Sequence, residues 1–76
     1  MIPDIDIFIG LSLDAKDNNY NPAVIKEKAD WFNKRATSKQ REEIIIPLIR
    51  ARDPDVLLNK MIDDYSMKQK IKRGLH

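Results

Sequence analysis

The chain contains no cysteine, so neither disulfides nor thiolate-bound metals hold it together. Its one histidine, His76, stands at the end of the sequence, where chain order is generally poorest. That leaves no HxxH or HExxH metal spacing and no cysteine–histidine pair for nucleophilic catalysis. Glycine occurs only at Gly10 and Gly74, which excludes a glycine-rich phosphate loop. The longest strongly apolar run, Ile44 to Ile49, is interrupted by Pro47 and is far shorter than the roughly 20 residues of a membrane span. Asp4 and Asp6 occupy the opening segment without an early basic residue, so a secretory signal is not expected and a cytoplasmic protein is.

Two groups of acidic residues remain as candidates for chemistry. Asp63 and Asp64 are neighbours, and on a helix neighbours diverge by about 100°, so they read as solvated surface. Asp14, Asp17, Asn18 and Asn19 lack the central glycine and closing glutamate of a calcium loop and read as a turn. The expectation is a protein that is not an enzyme and needs neither cofactor nor metal.

At 76 residues the chain is one small domain. A chain of that size buries only about 60% of its unfolded surface, so a partner or a second copy is a reasonable source of added stability. Its net charge of +2 is unevenly spread. Residues 1–20 carry four Asp and one Lys, residues 21–52 eight basic and four acidic groups, and residues 65–76 four basic groups and no acid.

The densest apolar stretch is Thr37 to Arg52, TSKQREEIIIPLIRAR. Thr37 and Gln40 have the spacing of a capping box, and Glu42 and Glu43 follow where negative charge favours a helix start. Ile44, Ile45, Leu48 and Ile49 form a broad apolar face, widened by Ile46. Pro47 removes one backbone donor and crowds the preceding turn, so the expected helix is kinked there. A strand over residues 43–46 is the competing reading, because three consecutive isoleucines favour β structure.

Residues 5–13, IDIFIGLSL, alternate with period two, which predicts a strand or extended arm with Ile5, Ile7, Ile9, Leu11 and Leu13 on one side. A lone strand needs a neighbour for its backbone groups, so Ile5, Ile7, Ile9 and Leu11 are candidates for pairing between copies. Residues 14–21 read as a loop. Asn21-Pro22 then predicts a helix start, with Ile25, Ala29, Phe32 and Ala36 facing the core, Val24 and Trp31 flanking it, and Asp30 spaced to pair with Lys34. Asp53-Pro54 repeats the signal for a helix running to about Arg73, with the apolar stripe Leu58, Met61, Ile62 and Tyr65.

The expected fold is therefore mostly α. It has three helices, the middle one kinked at Pro47, and an N-terminal extended strand or arm, and it is oligomeric. Residues 1–20 form the arm and loop, 21–73 the helical body and 74–76 a tail. Met67 and Ile71 fall opposite the core stripe of the last helix and are surrounded by Lys68, Lys70, Lys72 and Arg73. An apolar centre with a basic rim has the layout of a docking surface. Met67, Lys68, Ile71, Lys72 and Arg73 are accordingly the candidate partner-binding residues, for a protein partner or a second copy.

Thr37-Ser38-Lys39-Gln40-Arg41-Glu42 resembles the opening of the first helix in LuxR-type and sigma-factor helix-turn-helix units. Beyond these six residues the chain departs from that pattern. The next helix opens at an Asp-Pro cap, no small residue marks a tight turn, and Asp63-Asp64 would approach the DNA. A strand followed by helices also resembles ribbon-helix-helix repressors, whose strand reads the major groove; here its solvent face would offer Asp6, Phe8 and Ser12, the wrong charge beside phosphates. A DNA- or RNA-binding regulator is thus the second expectation, behind a small interaction protein acting as a regulator, an inhibitor or a minor component of an assembly.

Overall fold

The computed structural model describes residues 1–74 and places four helices among them. Helix α1 spans Asp4–Asp17 and α2 spans Pro22–Asn33. Helix α3 covers residues 38–50 in three parts: a first turn Ser38–Gln40, a wide π-turn Arg41–Ile45 and an α-helical stretch Ile46–Arg50. Helix α4 spans Pro54–Gly74.

The expected N-terminal strand is a helix, and this is the main correction to the sequence reading. Ile7, Phe8, Leu11 and Ala15 are the buried residues of α1, spaced i, i+1, i+4 and i+8. The period-two pattern hid this stripe because it assigned Phe8 to the opposite side and gave Ala15 no role. Pro3 precedes the helix with extended backbone angles, Asp4 and Asp6 sit in its first turn and Lys16 in its last, in agreement with the helix dipole. No strand edge exists among the described residues, so a strand here would leave its backbone groups unpaired. The ribbon-helix-helix order fails with it, since that order requires the strand. α1 ends in a turn in which Asn19 and Tyr20 both take positive φ, near 56° and 57°, and Tyr20 N–H donates to the Ala15 carbonyl at 2.6 Å.

Helix α2 starts as the Asn-Pro signal predicts: Asn21 Oδ1 accepts from Ala23 N–H at 2.9 Å, and Pro22 takes the first helical position. Ile25, Ala29 and Phe32 are buried in it, and Ala36 just beyond. The expected Asp30–Lys34 pair does not form. The ion pair among the described residues is Lys28 to Asp14, at 3.8 Å, tying α2 to α1. Gly10 sets how closely these two helices approach, because a Cβ there would lie 2.8 Å from Phe32 Cζ.

Helix α3 opens on the predicted capping box. Gln40 N–H donates to Thr37 Oγ1 at 3.1 Å, and Thr37 N–H donates to Gln40 Oε1 at 3.0 Å. Residues 43–46 are helical, so the competing strand is not formed. Pro47 is accommodated next to the π-turn, where Ile46 N–H reaches back five residues to the Arg41 carbonyl. A single wide turn gives room for a residue that lacks an N–H and crowds the turn before it. Ile44, Ile45 and Leu48 are buried and complete the core with α1 and α2.

Pro54 is fully buried at the start of α4, and Leu58 is the buried hydrophobic residue that follows it. Met61, Ile62 and Tyr65 pack partly against the same core, Tyr65 with its ring 5.5 Å from that of Phe8. Past Tyr65 the helix runs on for more than two turns without a buried side chain among those described. The molecule is correspondingly long, 41 × 26 × 20 Å. No described helix is long and apolar enough to cross a membrane.

Candidate interaction surface

The unburied end of α4 follows from helical geometry. Met67 lies nine residues after Leu58, two and a half turns at about 100° per residue, so a straight helix that buries Leu58 turns Met67 outward. Ile71, one turn on, shares that side. Both side chains are 60% exposed. Lys68, Lys70 and Lys72 around them are exposed as well. The helix shows neither a break at Ser66 nor an end before Gly74, so the pair is presented on a regular helical scaffold.

Beside these turns, with Ile71 at its edge, a groove of about 720 Å³ separates α4 from the start of α3. Tyr65, Lys68, Gln69, Ile71 and Lys72 line its α4 wall, and Thr37, Lys39, Gln40, Glu43 and Ile44 the wall opposite. Lys39, Lys68 and Lys72 thus converge on one depression whose apolar lining includes Ile44, Tyr65 and Ile71. Met1 and Asp4 reach the same groove.

Gln40 fixes the segment beside this groove. It is a buried polar side chain, 7% exposed, and it uses both ends of its amide. Oε1 caps α3, while Nε2 donates to the Ile2 carbonyl at 2.6 Å and to Asp4 Oδ1 at 2.7 Å. One side chain therefore closes the cap of α3 and ties the start of α1 to it, across 36 to 38 residues of sequence. Arg41 next to it does comparable work on the end of α2, donating through Nη1 to the Ala36 carbonyl at 2.8 Å and to the Asn33 carbonyl at 3.4 Å.

Of the expected partner-binding residues, Lys68, Ile71 and Lys72 line this groove, and Met67 is exposed on the same turns of α4. Arg73 continues the helical backbone, but its side chain lies outside the described residues, as does His76. The residues expected to pair between copies are not brought together. Ile7 and Leu11 are fully buried in the core, whereas Ile5 and Ile9 lie on the outer side of α1. Leu13 joins them there, and the four-residue spacing Ile5–Ile9–Leu13 was the signal that the period-two reading concealed. Lys39 and the second role of Gln40 have no local signal, because both depend on how α3 meets α1 and α4.

Two further features lie away from this surface. Trp31, half exposed on α2, is covered by Arg35 at 3.7 Å and Lys28 at 4.5 Å from its ring, cation–π contacts that shield its faces. Asn33 Oδ1 is buried without a partner beside the π-turn, where a shallow cleft is lined by Ser38, Arg41, Glu42, Ile46, Pro47 and Arg50. No cluster of acidic or histidine side chains among the described residues is arranged to hold a metal ion.

No family model matches the chain, and comparison with curated proteins and with solved structures likewise gives no match.

Proposed function

We propose that this chain is a small, non-enzymatic protein-binding module that captures its partner through the last turns of α4. The observation that carries this reading is the pair Met67 and Ile71, each 60% exposed on a regular helix and surrounded by Lys68, Lys70 and Lys72. Apolar side chains that water surrounds on a projecting helix gain free energy by being covered, and the lysine rim selects for acidic groups at the edge of whatever covers them. The partner is thus a protein surface with an apolar patch bordered by Asp and Glu. Such a module would regulate or inhibit its partner, or join it in an assembly.

Nucleic acid is the second reading, favoured by the convergence of Lys39, Lys68 and Lys72 on one groove. The two readings differ in which residues matter. Capture from cell extract is compared for the wild-type chain, for Met67→Glu with Ile71→Glu, and for Lys68→Gln with Lys72→Gln. The protein-binding reading expects the first variant to lose its partner outright and the second to weaken it in a salt-dependent way. Loss through the lysine variant alone, with a steep salt dependence and retention of nucleic acid, supports the second reading instead. If neither variant changes what is captured, α4 is not the docking surface.

A further inference from the structure

We propose that the docking surface of α4 takes the outer face of α1 from a second copy of this chain. The inference rests on the reading of α4 as a docking surface and names its partner. On α1, Ile5, Ile9 and Leu13 follow at four-residue intervals on the side away from the core, 40%, 49% and 56% exposed. Together with the buried stripe of Ile7, Phe8, Leu11 and Ala15, they make α1 apolar on both sides, the pattern of a helix covered on both. On α4, Met67 and Ile71 repeat the four-residue interval.

Charge distinguishes this pairing from the alternatives. Within the chain Asp4 is hydrogen-bonded to Gln40 and Asp14 is paired with Lys28, which leaves Asp6 and Asp17 against Lys16 on α1, whereas residues 65–76 carry four basic groups and no acid. An α1 face set on another α1 face opposes two net-acidic surfaces, and an α4 face on another α4 face opposes two basic ones; only the mixed pairing joins opposite signs. Run antiparallel, the equal spacing sets Leu13 against Met67 and Ile9 against Ile71. In that register Lys16, the one base of α1, comes opposite Asp64, three residues before Met67. Asp6 then comes towards Lys72, near the end of the helix. A parallel pairing carries Lys16 away from Asp64. The contact is between copies because α1 already meets its own α4 on the core side, through Phe8 and Tyr65, so its outer stripe points away.

Sedimentation equilibrium of the full chain at low and high salt tests the proposal with two variants, Ile9→Lys with Leu13→Lys on α1 and Met67→Glu with Ile71→Glu on α4. The wild-type chain is expected to exceed monomer mass increasingly with concentration, and to fall back towards it as salt screens the rim. Each variant alone is expected to keep its helical spectrum and stay at monomer mass. Mixed in equal amounts, the two are expected to associate again, because each supplies the face that the other has lost. Three results overturn the proposal: a wild-type chain that stays monomeric at its highest soluble concentration, an α4 variant that associates like wild type, or a mixture that remains at monomer mass. None of the three touches extract capture by α4, which succeeds or fails on its own and so separates the failure of self-docking from the failure of the docking surface itself.

Discussion

Replacing Gln40 by Glu changes the molecule at one atom and reverses what that atom can do. The amide nitrogen now donates to the Ile2 carbonyl at 2.6 Å and to Asp4 Oδ1 at 2.7 Å. An oxygen in its place donates to neither when ionised, and it sets a second carboxylate against Asp4 at hydrogen-bonding distance. A hydrogen bond to a neutral acceptor contributes about 1 kcal/mol and one to a charged acceptor about 1.5–3 kcal/mol, so their loss alone costs about 2–4 kcal/mol. Repulsion between the two carboxylates adds to that. A domain of this size has roughly 4–11 kcal/mol in total, and each kcal/mol shifts Tm by about 4–8 °C. The variant should therefore melt at least 10–20 °C lower at neutral pH, an order-of-magnitude figure from the same scaling.

The pH dependence gives the sharper signature. Two facing carboxylates hold a shared proton more tightly in the folded chain than in the unfolded one, so the variant's deficit is largest at neutral pH and shrinks as pH falls through the carboxylate range. Adding Asp4→Asn should recover much of the loss at neutral pH, because the new amide donates to the introduced carboxylate and restores the bond with its polarity reversed. Urea unfolding of the four proteins of this cycle at neutral and mildly acidic pH measures both effects. A Gln40→Glu variant as stable as wild type, or one equally destabilised at both pH values, would refute the role given to this side chain.

Two other substitutions probe the helices around it. Gly10→Ala gains about 1 kcal/mol of helix propensity, but its Cβ would stand 2.8 Å from Phe32 Cζ; forcing that buried ring aside costs about 1–3 kcal/mol, so thermal melting should show no gain and most often a loss. A clear rise in Tm would mean that α1 and α2 do not approach at Gly10. Pro47→Ala restores a backbone N–H beside the π-turn and should keep or raise the far-ultraviolet helical signal and raise stability; a loss of helicity accompanied by aggregation would contradict the placement of residues 43–50 in one helix.

Much of this architecture is legible in local chemistry. The caps at Asn21-Pro22 and Thr37–Gln40 depend on side chains reaching backbone groups two or three residues away, and both form as their spacing predicts. The same holds for the outward turn of Met67 and Ile71, which needs only the helical period and the position of Leu58. The N-terminal segment was not legible in this way. Its apolar residues satisfy period two and period four at once, and what decides between them is tertiary: the other described elements are all helical, so a strand has nothing to pair with. Gln40 marks a similar limit. Its cap is a local matter, but its hold on Ile2 and Asp4 exists only because α1 is a helix that begins beside it. The π-turn lies between these cases, since Pro47 announces a disturbed helix and leaves open whether the chain bends, breaks or widens there.

The claim on which the functional reading stands is that Met67 and Ile71 belong to no part of this chain's own core. Equilibrium unfolding of Met67→Glu with Ile71→Glu, at a concentration and salt where the chain is monomeric, tests it directly. Two charges placed on solvent-exposed helix surface should change the unfolding free energy by no more than about 0.5 kcal/mol each and leave the helical spectrum intact. A loss of several kcal/mol, of the size that follows burial of unpaired charge, would place the pair inside the fold and remove the docking surface from α4.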